Sequence, residues 1–521
     1  MDKLDKLLLS FFLFAFLLVS CANTQDSTGD GVTTTSTSAS TTTISTYVST
    51  TTTTILQFTS VTANNRLITY KNCTNNYNLL TRDIKVYLPA GYDPSGDATY
   101  SVVYMHDGQN LFFAGGPFGS WRVEKAYDGL IAQDLIEPLI IVGINNTNDR
   151  IPEYTPTLDS NFVGSGKGES YVNFIINNLI PFINSNYKTK TGPENTAIIG
   201  SSLGGLISLY ASWNHPDVFG KAGCLSSSLW WDKNNLLNQV LAYTGSKKSI
   251  KYWIDCGTAE GNDGDDQEAD ADNDGRTYMI EDSRTLSYRL SSLGWQDNVD
   301  LCYKEDVGAA HNEAAWSGRI DDVLYFFFRK SAPELTGINT RLFANKIGLT
   351  GITKTYASTD LKYENDFSIT QVATNLTVSD ATVATVDNAL YGKITPLKAG
   401  TTKVSASYGG FNSEADLEVV EDLPVMIRVF FNVTCPNTGG AANIYIAGDG
   451  GPVPSDKIWN PSGFASTAKV SSTNYHFLFN MKRNTSFSFK FTKNGSWESR
   501  GSNRIFSSAE DATADFTVTS W

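Results

Sequence analysis

The chain has 521 residues, several times the roughly 100 to 200 of one domain, so its sequence divides among several modules. Hydrophobic residues make up 41%, aromatic residues 12% and charged residues 18%, a composition that excludes a largely disordered chain. The net charge of −14 argues against nucleic acid as a partner, and six cysteines without a C-x-x-C pair exclude a disulfide-dense scaffold or a cysteine-ligated zinc site.

Residues 7–19 form an apolar run interrupted only by Ser10, after Lys3 and Lys6. It is shorter than the about 20 residues of a transmembrane helix and suits the core of a signal peptide over residues 1–20. The run ends in Leu18-Val-Ser-Cys21, which resembles the lipobox of bacterial lipoproteins. That resemblance implies lipidation of Cys21, with a lipid anchor as the chain's sole link to a membrane and the remainder outside the cytoplasm, at the cell surface. An ordinary secretory signal with a chance cysteine is the alternative. Of residues 33–54, 18 of 22 are Thr or Ser, too little apolar surface to fold, so residues 21–57 read as a solvated stalk.

From residue 58 to about 331 apolar runs of strand type alternate with helix-length spacers, at residues 100–105, 139–144, 196–199, 251–256 and 299–303. This rhythm predicts a mostly parallel sheet with helices on both faces. Gly200-Ser-Ser-Leu-Gly204 is a G-x-S-x-G sequence between an apolar strand and the amphipathic residues 206–213. Small residues allow a strained strand-to-helix turn that exposes the Ser202 hydroxyl at a helix N-terminus, beside oxyanion-binding amides. A Gly-Ser turn without chemistry is the plain alternative.

A serine nucleophile needs a base, and the chain has four histidines: His106, His215, His311 and His476. His311, in Gly308-Ala-Ala-His-Asn-Glu-Ala-Ala-Trp316, directly follows the last strand of this region, where a base reaches the elbow. The acid should precede it, and Gly257-Thr-Ala-Glu260 follows a strand, which favours Glu260 over Asp255 inside the strand and Asp263 further out. His106-Asp-Gly-Gln109 lies where a second oxyanion amide is expected, with His106 read as a residue that fixes that loop.

Tyr104-Met-His-Asp-Gly-Gln-Asn-Leu-Phe112, Ile141-Val-Gly-Ile144 with Arg150 and Glu153-Tyr-Thr-Pro156, Gly200-Ser-Ser-Leu-Gly-Gly205, Ser228-Leu-Trp-Trp231 and Gly308 through Trp316 together resemble the esterase D family of α/β-hydrolases, whose members include carbohydrate esterase family 1. The resemblance implies an α/β hydrolase over residues 58–331. It also implies Ser202 as nucleophile, His311 as base, Glu260 as acid where Asp is more common, and the amides of Gln109 and Leu203 as the oxyanion hole. Trp230 and Trp231 are either core or a wall of the acyl or sugar pocket.

Asp270-Ala-Asp-Asn-Asp-Gly-Arg-Thr-Tyr-Met-Ile-Glu281 fits D-x-[DN]-x-[DN]-G-x5-E, which makes Asp270, Asp272, Asp274, Arg276 and Glu281 candidate ligands of a structural Ca²⁺. A solvated acidic loop is the alternative, and no cofactor is expected for catalysis itself. After Pro333 short Thr- and Val-rich strands with frequent turns predict two all-β sandwiches, over residues 334–421 and 425–521. The first, with Val378-Ser-Asp-Ala-Thr-Val-Ala-Thr-Val386, resembles group 2 bacterial immunoglobulin-like domains, which implies a spacer or adhesive module. The second resembles family 20 starch-binding modules through Asn443-Ile-Tyr-Ile-Ala-Gly448, Phe489-Lys-Phe491, Trp497-Glu-Ser499 and Asn503-Arg504, although the Leu-Gly-x-Trp signature is missing around Trp459. It implies Trp459 and Trp497 as sugar-stacking platforms and Lys490 as a hydroxyl partner, against a core role for Trp497.

Together these features predict an extracytoplasmic serine esterase that acts on acetyl or feruloyl esters of a polysaccharide and is held to glycan by its C-terminal module. A siderophore-type esterase and a non-catalytic glycan adhesin are the competing expectations.

Overall fold

The computed structural model describes residues 42–44, 56–113, 115–116, 118–162, 164–260, 277–372, 375–435, 441–509 and 511–521. The signal peptide, Cys21 and Asp270, Asp272, Asp274 and Arg276 lie outside the described residues.

Ten strands build the first sheet: β1 (Thr42–Ile44), β2 (Ser60–Asn64), β3 (Leu67–Cys73), β4 (Arg82–Tyr87), β5 (Ser101–Met105), β6 (Leu139–Ile144), β7 (Thr196–Ser201), β8 (Lys221–Leu225), β9 (Lys251–Gly257) and β10 (Leu301–Asp306). Their order across the sheet is β1-β2-β3-β4-β6-β5-β7-β8-β9-β10. The pairings from β6 to β10 are parallel, and those from β1 through β4 to β6 are antiparallel. The Thr/Ser-rich stalk is therefore not featureless throughout, because Thr42–Ile44 pairs with Val61, Thr62 and Ala63 of β2. β-Branched residues suit an edge strand even where they are too polar for a core.

Side chains alternate between two cores, as a period of two requires. Val102 and Tyr104 of β5, Ile198 of β7 and Ile254 of β9 face one core with Leu206, Ile207, Leu236, Leu286 and Leu290 from helices Leu203–Asn214, Trp231–Ala242 and Tyr278–Ser292. Val103, Met105, Ile199 and Trp253 face the other, with Tyr127 of Val123–Ala132 and Val323, Leu324 and Phe326 of Ile320–Phe328. Helices thus cover both faces, and the parallel strands end along one edge where loops can meet.

Beyond residue 334 the described residues form strands, with two short 3-10 turns at Asn388–Leu390 and Ser455–Lys457. One pair of sheets encloses Ile347, Ala357, Ile394, Val404 and Leu417, and a second pair encloses a phenylalanine-rich core around Phe431, Phe487, Phe489 and Phe491. The first pair is docked on the α/β unit. Leu361, Tyr363, Phe367 and Ile369 belong to the core that holds Trp253 and Phe326, and Val372 joins the opposite core. At the same junction the buried Glu305 carboxylate of β10 accepts from Arg284 Nε (2.9 Å) and Nη2 (2.6 Å), from Arg341 Nη2 (2.5 Å) and from Ser358 Oγ (2.9 Å). Its amide donates to Thr370 Oγ1 (3.0 Å). This module is thus sealed against its neighbour by apolar area and buried charge.

Candidate active site

β7 ends at Ser201, and the next residue turns directly into the Leu203–Asn214 helix. Ser202 takes φ 60° and ψ −126°, a conformation that costs a non-glycine residue of order 1–3 kcal/mol and that marks a nucleophile elbow. The turn is tolerated because its neighbours are small. A Cβ on Gly200 would meet the Gly204 carbonyl at 2.7 Å and His106 Cδ2 at 2.8 Å. The Ser202 amide donates to Leu225 O (3.0 Å), the Ser228 amide to Ser202 O (3.1 Å), and the two serine hydroxyls lie 3.4 Å apart. Leu203 is the first residue of the helix, where backbone amides have no intrahelical acceptor.

Glu260 and His311 come from the loops after β9 and β10, at the same edge of the sheet. His311 Nδ1 lies 3.0 Å from Glu260 Oε2. Because an ionised carboxylate only accepts, Nδ1 carries the proton and Nε2 is left with a lone pair. The Trp316 ring stands edge-on to the imidazole, with centroids 5.0 Å apart, and fixes its plane. Burial opposes the charge on Glu260, but the His311 and Ser226 hydrogen bonds and the Arg319 guanidinium outweigh it and hold its pKa below the ordinary value. The Gly257 amide also donates to Glu260 Oε1 (2.7 Å), and a Cβ on Gly257 would come within 2.1 Å of Ala309 O, so only glycine allows the two loops to close on each other.

Two side chains that hold this acid were not singled out by sequence. Ser226 Oγ donates to Glu260 Oε1 (2.6 Å) while accepting from Trp316 Nε1 (2.9 Å) and Arg319 Nη2 (2.9 Å). Arg319, fully buried, also lies 3.1 Å from Asp255 Oδ1 and 3.0 Å from Asp306 Oδ2. Asp255, the rival candidate inside the strand, has other partners. It accepts from Trp253 Nε1 (2.6 Å) and the Ser226 amide (3.1 Å), and burial raises its pKa. Asp263 lies outside the described residues.

Gln109 sits in a 3-10 turn, Gly108–Asn110, entered through Asp107 at φ 54°. Burial opposes ionisation of Asp107, yet Arg150, bonded through Nε and Nη2 (2.9 Å each), and Asn146 Nδ2 (2.6 Å) keep its pKa low. The Gln109 side chain accepts from the Asn146 amide (3.1 Å), so the turn is tied down on both sides. His106 is fully buried with Nδ1 2.9 Å from the Tyr171 hydroxyl, and burial pushes its pKa down to about 3. A ring held neutral and locked beneath the elbow braces this loop. His215 caps the C-terminus of the elbow helix, and His476 lies in the C-terminal sandwich against Phe430.

Trp231 is core, its indole donating to Thr157 O (3.1 Å), whereas Trp230 is half-buried against Phe162. Glu281 lies in the first turn of Tyr278–Ser292, and among the described residues no group of three His, Cys, Asp or Glu could hold a metal. In the last module Trp459 and Trp497 are both half-exposed, with ring centroids 6.4 Å apart and planes 35° from parallel. The Glu498 that follows is the buried residue, bonded to Arg504 Nη2 (2.7 Å) and to the Phe491 amide (3.0 Å). Lys490 Nζ donates to Arg500 O (2.6 Å). No helix among the described residues is long and apolar enough to cross a membrane.

The "Putative esterase" family model matches residues 80–327, which span the elbow, Glu260 and His311. The uncharacterized protein YbbA of Bacillus subtilis is 26% identical over 259 residues, 49% of this chain and 95% of that protein. An endo-1,4-beta-xylanase/feruloyl esterase of Xylanibacter ruminicola is 30% identical over 196 residues, 36% of this chain and 24% of that protein. A siderophore triacetylfusarinine C esterase of Aspergillus fumigatus is 25% identical over 162 residues, 30% of this chain and 53% of that protein. The chain thus spans about a quarter of the Xylanibacter protein and about half of the Aspergillus protein. These matches support an esterase family for residues 80–327, and with it a hydrolase acting on esters.

Proposed function

We propose that this chain is an extracytoplasmic serine esterase that removes acetyl or feruloyl groups from a polysaccharide. In this reading Ser202 Oγ attacks the ester carbonyl while His311 Nε2 accepts its proton, and Glu260 stabilises the imidazolium that forms. The amides of Gln109 and Leu203 receive the oxyanion, and His311 returns the proton to the departing sugar hydroxyl. Water then repeats the sequence on the acyl-enzyme, and no cofactor enters any step. The observation that carries the reading is the buried Glu260 carboxylate bonded to His311 Nδ1 at the sheet edge where Ser202 is held in a strained elbow.

The glycan half of the proposal rests on the half-exposed Trp459 and Trp497 pair, since aromatic faces stack on the apolar faces of sugar rings. The relative named for both xylanase and feruloyl esterase supports an acyl ester on a polysaccharide. Lipidation of Cys21 would hold the enzyme at the cell surface, and a Ca²⁺ bound by the acidic loop that ends at Glu281 would order the segment after Glu260. Purified protein is expected to release acetate or ferulate from acylated xylan. Release of product from a siderophore ester alone would move the substrate to that class, and inertness toward every ester would leave a glycan adhesin.

Loss of one stacking ring contributes about 1–1.5 kcal/mol, so Trp497→Ala is expected to weaken retention on insoluble α-glucan or xylan about tenfold. Affinity electrophoresis against each glycan checks this, and equal mobility of the two proteins in both gels would remove the platform.

A further inference from the structure

At the end of the sheet opposite Ser202 the parallel strands begin, and there the surface is not acidic. β8 starts with Lys221 and β9 with Lys251, and Lys247 and Lys248 lie in the loop that leads into β9. These four lysines line one open cavity of about 550 Å³, with Glu194 before β7 and Asp300 before β10 as its carboxylates. Along strands that rise about 3.3 Å per residue, six residues of β7 separate this cavity from the elbow by about 20 Å, so it belongs to no part of the site described above.

The lysines are held rather than loose. Lys221 Nζ donates to Glu194 O, Lys248 Nζ donates to Trp213 O (2.5 Å) while resting 4.6 Å from the Trp213 ring centroid, and Lys251 Nζ lies 5.8 Å from that of Phe326. Lys247 pairs with Asp300 and donates to Gly294 O (3.0 Å). An ammonium has three donors, so each lysine retains donor capacity beyond these contacts. Burial, reinforced by the neighbouring Lys251 and opposed by Glu194, pushes the Lys221 pKa down to about 8. Four ammonium groups against two carboxylates leave an excess of about two positive charges in a chain whose net charge is −14.

We propose that this lysine-lined cavity at the N-terminal ends of β8 and β9 binds the dianion of a small phosphate monoester. A phosphate dianion matches the excess charge, and lysines, as compact multi-donor charges, converge well on its oxygens. The cavity exceeds a bare phosphate and leaves room for a sugar-sized or glycerol-sized alcohol portion.

The test uses the full chain, with inorganic phosphate and glycerol 3-phosphate as probes, titrated by calorimetry and by thermal melts at constant ionic strength against chloride. With a dissociation constant near 1 mM, about 10 mM probe raises the melting temperature by about 2–4 °C. Glycerol 3-phosphate should bind at least as tightly as phosphate. Lys248→Gln with Lys251→Gln is expected to weaken both at least tenfold. Should that double variant lose its cooperative melt, the single change Lys247→Glu on the exposed rim carries the same expectation. Heat and melting shifts no larger than those of chloride, or equal binding by a cooperatively melting variant, would overturn the proposal.

Discussion

On the proposed mechanism Ser202→Ala is expected to lower kcat for ester hydrolysis by about 10⁵ to 10⁶, and His311→Ala by a comparable factor, because a nucleophile and its base act as a unit whose parts have little value alone. The double variant should lose no more than either single one. Glu260→Gln should cost less, on the order of 10² to 10⁴, since the amide still fills the space between His311, Ser226 and Gly257 but no longer stabilises the imidazolium. A chromogenic ester and single-turnover measurements separate acylation from release. Substantial turnover by the Ser202 variant would exclude the serine mechanism. Additive losses in the double variant would show instead that the two side chains serve different steps.

What could be read along the chain was whatever is written locally. The run from Thr196 to Gly205 carries the buried strand, the small residues of the turn and the start of the helix in ten consecutive positions, so the elbow was legible. His311 and Glu260 were legible by their places after the last two strands. β8 was not, because Lys-Ala-Gly-Cys-Leu has neither an apolar run nor alternation, although the strand is buried throughout. With β8 missed, Ser226 could not be placed at the sheet edge beside Glu260, and Arg319, a lone cation between a glycine and an apolar helix, had no visible partner. The antiparallel strands β2 to β4 were missed for a related reason. Their half-polar sequences, such as Leu-Ile-Thr-Tyr-Lys-Asn-Cys, gain their stability from pairing with one another rather than from burial alone. Hardest of all was the junction with the first sandwich, since Arg284, Glu305 and Arg341 are far apart in the chain and each alone reads as a surface charge.

That junction sets the second large effect. Glu305→Gln is expected to destabilise the protein by about 3–5 kcal/mol at neutral pH, because it leaves Arg284 and Arg341 buried without their shared counter-charge. The melting temperature should fall by roughly 6 to 20 °C. Burial alone would raise the Glu305 pKa, but the two guanidinium groups overcome it and hold the carboxyl at about 2, below the about 4.3 of an unfolded chain. A depressed native pKa adds stability above the unfolded value, and that stability is lost as pH falls from about 4 toward about 2. Scanning calorimetry between pH 2 and 7 should therefore show a steeper acid loss in the natural protein than in the variant. Lys403→Gln, at an exposed ion pair with Glu414, is the contrasting case and should stay within about 0.5 kcal/mol. The effect should also reach the active site. Asp306, the next residue of β10, bonds Arg319, and Arg319 bears on Ser226 and Glu260, so loosening this strand disturbs the group that orients His311. Equal melting temperatures for the natural protein and the Glu305 variant at pH 7 would mean that the sandwich is seated by its apolar contacts, with the buried charges contributing nothing net.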